Sequence, residues 1–115
     1  MIVKKLAYQF ISFLIILNSF FISKSGAINL ESGKNLFNTN CIACHSKGTN
    51  LIIPEKNLQK SILEANGMYN KDGIIYQVLN GKNGMPAFGG RLKESEIEEI
   101  ANYVLFAAEK NFEIE

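Results

Sequence analysis

Ile97, Ile100, Ala101, Val104, Leu105 and Ala108 recur at i, i+3, i+4, i+7, i+8 and i+11, the spacing that keeps one face of an α-helix apolar. Glu94, Glu96, Glu98 and Glu99 crowd the start of this C-terminal helix, where the dipole favours acid, and Lys110 sits near its end. Ser95 with Glu98 fits a capping box. Three shorter segments share the helical period. Residues 30–38 carry Gly33, Leu36 and Phe37, the glycine permitting close approach of another helix at some cost in propensity. Residues 57–65 place Leu58, Ile62 and Leu63 on one side and end at the turn signal Asn66-Gly67. Residues 72–79 carry Ile75, Val78 and Leu79 inward and stop at Asn80-Gly81. No segment alternates apolar and polar positions over a useful length, so the prediction is an all-α domain of four short helices.

The start of the chain has another pattern. Lys4 and Lys5 precede a largely apolar run over residues 6–22, and Ser25-Gly26-Ala27 has the small-x-small form of a signal-peptidase site. This predicts a signal peptide over residues 1–27, cleaved after Ala27. The alternative is an uncleaved membrane anchor. Against it stand Gln9, Ser12, Asn18 and Ser19 inside the run, and its shortness for a span.

The predicted mature chain, residues 28–115, has 88 residues (115 minus 27) and no repeat or linker. One small domain follows, near the size at which a protein core alone is marginal. Its nine basic residues (Lys34, Lys47, Lys56, Lys60, Lys71, Lys82, Arg91, Lys93, Lys110) face all eleven acidic ones, net −2, which argues against a nucleic-acid partner. Ile, Lys and Asn, which AT-rich codons encode, are frequent, a hint of an organelle genome.

Chemistry concentrates in Cys41-Ile42-Ala43-Cys44-His45. C-x-x-C-H is the signature of covalent c-type haem attachment. Two thiols three positions apart on one helical turn can add to the two vinyl groups of one porphyrin, and the next residue then aims an imidazole at the iron. Cys41 and Cys44 are the only cysteines and His45 the only histidine, too few ligands for a structural zinc site. A dithiol redox motif needs only the two cysteines and stays open.

Haem iron that carries electrons without binding oxygen needs a second axial ligand, and methionine sulfur raises the potential. The candidates are Met68 and Met85. Met68 follows Asn66-Gly67 in a turn expected to be exposed, where a methionine simply packs or faces solvent. Met85 lies in the stretch 81–91, whose four glycines and Pro86 disfavour a regular element and permit a tight loop close to a flat ligand. Met85 is the stronger candidate. A substrate pocket has no counterpart in these features, so an electron carrier is expected rather than an enzyme.

These residues resemble the class I cytochromes c, and within them cytochrome c6. The resemblance rests on Asn66, Tyr76-Gln77-Val78, the run from Asn80 through Met85 to Leu92, and Ala101-Asn102-Tyr103-Val104-Leu105, and covers residues 28 to 112. It implies a class I cytochrome c fold around one covalent haem c, with Cys41 and Cys44 as attachment sites and His45 and Met85 as axial ligands. It further implies a soluble, monomeric carrier in the thylakoid lumen of a plastid, taking electrons from cytochrome f of the cytochrome b6-f complex and delivering them to photosystem I. A bacterial thylakoid lumen or periplasm, with a terminal oxidase as acceptor, is the alternative setting.

Gln77 resembles a family glutamine that tunes the potential, or is a polar residue on an exposed helix face. Arg91 resembles an arginine near the partner surface, or is a solvated loop charge. Pro54 either orients the loop whose carbonyl accepts from the His45 ring or is a plain turn proline. Ile52, Ile53, Ala87 and Phe88, with Arg91 at the rim, are expected to form an apolar docking patch. Two departures from the family pattern stand out: Lys110-Asn111-Phe112 where a Lys-Gly pair and tryptophan are common, and Lys93 where a capping hydroxyl or acid is usual.

Overall fold

The computed structural model describes residues 1–18 and 26–114, with side chains 15–18 set aside. The end of the apolar run and Ser25 of the cleavage signal lie outside the described residues. The first helix, α1 (Ile2–Asn18), leaves Leu6, Phe10 and Phe13 exposed. Among the described residues no helix is long and apolar enough to cross a membrane.

The remaining helices are α2 (Leu30–Asn40), the single turn α3 (Ile42–His45), α4 (Lys60–Ala65), α5 (Lys71–Asn80) and α6 (Glu94–Glu109). Short 3-10 turns lie at Ser46–Gly48 and Pro54–Lys56. Isolated bridges pair Lys82 with Met85 and Gly89 with Leu92, and no strand forms among the described residues. The all-α expectation holds, with α2, α4, α5 and α6 as the four anticipated helices.

Local chemistry sets the boundaries. Asn29 Oδ1 accepts from Ser32 N at 3.0 Å and opens α2, and Asn70 Oδ1 accepts from Gly73 N at 2.7 Å and opens α5. α5 ends where Gly81 adopts φ 64° and its N–H donates to the Gln77 carbonyl at 2.8 Å. α4 begins three residues later than its pattern suggests. Asn57 Oδ1 accepts from Gln59 N at 2.9 Å and Asn57 Nδ2 donates to the Pro54 carbonyl at 3.1 Å, holding a local turn in place of helix. The α6 cap is Lys93, not Ser95: its N–H donates to Glu96 Oε2 at 2.8 Å. An ammonium accepts nothing, so that bond is the only side-chain support there.

The core forms where α2 and α5 pack on α6. Ile97, Ile100, Ala101, Ala107 and Ala108 are essentially inaccessible, with Val104 and Tyr103 close behind. Leu105, expected inside, is half-buried, while Tyr103 packs against α2 and Ala107 is fully buried. On α5 the deepest positions are Ile74 and Val78, with Ile75 and Leu79 at the margin. A Cβ on Gly33 would lie 2.9 Å from both the Glu99 carbonyl carbon and Tyr103 Cβ, so this glycine is the contact point of α2 and α6. Phe37 stacks at a tilt on Tyr103 (5.3 Å between centroids) and on Phe112 (6.0 Å). Phe112 stands where the family pattern leads one to expect tryptophan, and it reaches the same interior.

Candidate cofactor site

A cavity of about 540 Å³ lies between the Cys41 to His45 turn, the 81–91 loop and the inner faces of α5 and α6. Cys41, Cys44, His45 and Met85 all line it. Its size falls in the ordinary range for cofactor pockets. Buried Leu63, Ile74, Val78, Ile100 and Val104 form the floor, while Lys56, Lys82 and Arg91 stand on its lining as cations.

The cysteine turn forms at the junction of two helices. Cys41 ends α2 by donating its N–H to the Phe37 carbonyl at 2.8 Å, and its own carbonyl accepts from His45 N at 2.9 Å. One helical turn therefore presents both sulfurs and the imidazole together. Burial pushes the Cys41 thiol up to about 11. A redox dithiol favours the thiolate, and burial of Cys41 works in the opposite direction.

His45 Nδ1 is 2.8 Å from the Thr49 carbonyl oxygen. A carbonyl only accepts, so Nδ1 carries the proton and Nε2 keeps its lone pair for a metal. The acceptor is fixed in turn: Thr49 N donates to the Ser46 carbonyl at 3.0 Å and Thr49 Oγ1 donates to the same oxygen at 2.6 Å. Lys47 (φ 53°) and Gly48 (φ 75°) bend the chain to make this contact. Thr49 was not singled out from sequence, although a lone metal-binding histidine requires some such acceptor nearby. Pro54 is exposed at the start of its 3-10 turn, and the loop is tied by Asn50, whose Nδ2 donates to the Lys56 carbonyl at 2.9 Å and whose Oδ1 accepts from Ile53 N at 2.9 Å.

Met85 reaches the cavity from a loop anchored on α5. Phe88 N donates to the Val78 carbonyl at 2.9 Å, Gly89 N to the Leu79 carbonyl at 3.1 Å, and Lys82 and Met85 exchange two backbone bonds of 3.0 Å. Gln77 Nε2 donates to Met85 Sδ at 3.8 Å, so Gln77 belongs to the cavity and not to an exposed face. Met68 also lines the cavity and is half-buried against the core, which corrects the exposed turn expected for it.

The expected docking patch changes composition. Phe88 is buried, 7% exposed, as part of the core cluster, and Ile53 is half-buried. Leu51 (70% exposed) and Ile52 (59%) with Pro86 and Ala87 supply the open apolar surface. Arg91 is exposed and sits 5.0 Å from the Phe88 ring centroid, a cation–π contact.

The family described as cytochrome C oxidase, cbb3-type, subunit III matches residues 28–104. Cytochrome c6 of Bumilleriopsis filiformis is 55% identical over 85 residues, which cover 74% of this chain and 99% of that relative. The chain belongs to the cytochrome c6 family. Cytochrome c6 of a Synechococcus strain is 46% identical over 99 residues, 86% of this chain and 88% of the relative. The solved cytochrome c6 of the diatom Phaeodactylum tricornutum superposes with TM-score 0.70 at 48% identity, covering 72% of this chain and 98% of the other. Oxidized cytochrome c6A of Arabidopsis thaliana gives 0.72 at 33% identity, covering 75% and 96%. Membership in the cytochrome c6 family makes this an electron carrier with one covalently bound c-type haem, not an enzyme, on a class I cytochrome c fold.

The cavity suits that group. Its donor set is two thiols, an imidazole with a free Nε2 and a thioether, its floor is apolar, and its cations match anionic propionates.

Proposed function

We propose that Cys41 and Cys44 hold the haem through thioether bonds, that His45 and Met85 are its axial ligands, and that the chain carries single electrons in the thylakoid lumen. Cytochrome f of the cytochrome b6-f complex is the donor and photosystem I the acceptor. The observation that carries this reading is the convergence of Cys41, Cys44, His45 and Met85 on one apolar cavity.

The bound haem supplies an iron that alternates between ferrous and ferric states. His45 offers Nε2 because Thr49 holds Nδ1–H, and Met85 offers a sulfur that Gln77 steadies. Ligands held in both states keep rearrangement small. The apolar floor excludes water and disfavours added positive charge, which raises the potential. Leu51, Ile52 and Ala87, with Arg91 beside them, form a small surface suited to weak, rapidly exchanged docking.

Residues 1–27 are proposed as an export signal removed after Ala27, leaving a soluble monomer. Lys4 and Lys5 at its start and the uncovered apolar side chains of α1 support this, and N-terminal sequencing of the exported protein tests it.

The deciding experiment is the visible to near-infrared spectrum of haem-loaded protein in both redox states. Expected is a low-spin spectrum with a weak sulfur-to-iron charge-transfer band, lost in Met85→Ala and kept in Met68→Ala. Loss in Met68→Ala alone transfers the ligand to Met68, and a high-spin wild-type spectrum refutes methionine ligation. The match to an oxidase-subunit family supports a second reading, delivery to a terminal oxidase in a bacterial setting. Flash kinetics with photosystem I separates the two, as slow, unsaturable donation would favour the oxidase.

A further inference from the structure

The chain contains three Asn-Gly pairs, Asn66-Gly67, Asn80-Gly81 and Asn83-Gly84. Such pairs are where asparagine converts spontaneously to aspartate. The glycine backbone nitrogen, unhindered by a Cβ, loses its proton and bonds to the asparagine Cγ. The Cγ–Nδ2 bond then breaks and nitrogen leaves as ammonia with that proton. Water next opens the cyclic imide at either carbonyl, giving aspartate or isoaspartate.

The fold treats the three pairs differently. At Asn66 the amide Nδ2 donates to the Ile62 carbonyl at 2.8 Å, and Gly67 N donates to the Glu64 carbonyl at 3.0 Å. At Asn80 Nδ2 donates to the Tyr76 carbonyl at 2.8 Å, and Gly81 N donates to the Gln77 carbonyl at 2.8 Å. In both, leaving group and nucleophile are held by backbone acceptors of a helix end. Among the described residues the Asn83 side chain and the Gly84 N–H have no hydrogen-bond partner. Both residues are exposed, and Asn83 already has a left-handed φ of 52° at the tip of the turn closed by Lys82 and Met85.

We propose that Asn83 is the site of spontaneous deamidation in the folded protein, through attack of Gly84 N on its Cγ. Isoaspartate there lengthens the backbone inside the turn that Lys82 and Met85 close with two bonds, so the lesion falls on the loop that delivers Met85. Asn83 and Gly84 also stand on the lining of the cavity, and the visible spectrum of the same sample reads the Met85 assignment, so failure of the deamidation is told apart from failure of the ligand assignment.

The test is incubation of the purified haem-loaded protein in mildly alkaline buffer, followed by peptide mapping with isoaspartate detection. Asn83 is expected to convert roughly thirtyfold faster than Asn66 and Asn80, the factor that two ordinary hydrogen bonds supply when both must open first. A parallel incubation of the urea-unfolded chain is expected to bring the three rates together. Conversion first at Asn66 or Asn80, or equal rates in the folded protein, overturns the proposal. So does an unchanged preference for Asn83 in urea, because local sequence and not the fold would then set the order.

Discussion

Replacing Gly33 by alanine is expected to destabilise the protein although alanine is the better helix former. The new Cβ would lie 2.9 Å from the Glu99 carbonyl carbon, with the carbonyl oxygen closer still, where ordinary contact begins at 3.4 Å. The obstacle is the backbone of α6, which cannot rotate aside. Relieving the carbon contact alone takes 0.5 Å (3.4 minus 2.9) and the closer oxygen requires more, so α2 and α6 must part by more than 0.5 Å along a seam that includes Phe37 and Tyr103. A gap of that size forfeits about a quarter to a half of each contact's dispersion energy. Overpacking of this kind costs up to about 3 kcal/mol, and the gain in helix propensity returns about 1 kcal/mol. A net loss of about 2 kcal/mol in a domain of this size lowers the midpoint by roughly 8 to 16 °C. Thermal unfolding of the haem-loaded protein, followed by circular dichroism, reads it directly. A Gly33→Ala midpoint at or above the wild type would show that helix propensity prevails and that the close crossing is not needed.

Gln77→Val removes the donor on Met85 Sδ, and with Met85 as the proposed ligand the sulfur would give more electron density to ferric iron. The potential should fall by on the order of 40 mV, the one-electron equivalent of one ordinary hydrogen bond, and an unchanged value by redox titration would dismiss the contact. Phe112→Ala empties the space between Phe37 and Gly48, at a cost of about 2 kcal/mol for a half-buried ring, measured by chemical denaturation. Phe112→Trp should retain most of the stability. Glu109 bridges Lys60 at 2.7 Å and Tyr69 at 2.6 Å, and these hydrogen bonds, Lys60 first, hold its carboxyl below the ordinary 4.5. A depressed carboxylate stabilises above its unfolded pKa and loses that contribution as pH falls through the folded value. Glu109→Gln should therefore melt slightly earlier than wild type at neutral pH and equally in acid, and a gap that persists in acid would point to another cause.

The haem motif and the methionine loop were legible because their chemistry is written in contiguous residues: Cys41 to His45, and Met85 among glycines. α6 was legible because its period runs over a dozen positions. What escaped depended on contacts distant in sequence or on side chains with two uses. Phe88 looks like surface until the backbone bonds from Phe88 and Gly89 to Val78 and Leu79 are seen to turn its ring into the core. Met68 looks like a turn residue until the cavity is closed around it. The late start of α4 came from Asn57, whose short amide competes with the helix, and the α6 cap fell on Lys93 because Lys93 is itself extended (φ −69°, ψ 153°) directly after the turn from Phe88 to Leu92. Thr49 was invisible because any carbonyl could have served.

The five-residue span from His45 to Thr49 bears on how the site assembles. The imidazole and the carbonyl that orients it are four positions apart, whereas Met85 stands forty beyond His45 (85 minus 45). Closing the longer loop costs about 2 kcal/mol more chain entropy than closing the shorter one. In the proposed site, one side of the iron is organised by local sequence as soon as the haem is attached. The other waits for α4, α5 and the anchoring of Phe88. If the proposed ligands hold, the same asymmetry sets the order of failure under heat or denaturant: the Met85 sulfur would let go first, and His45 would stay on the iron after most of the fold has loosened.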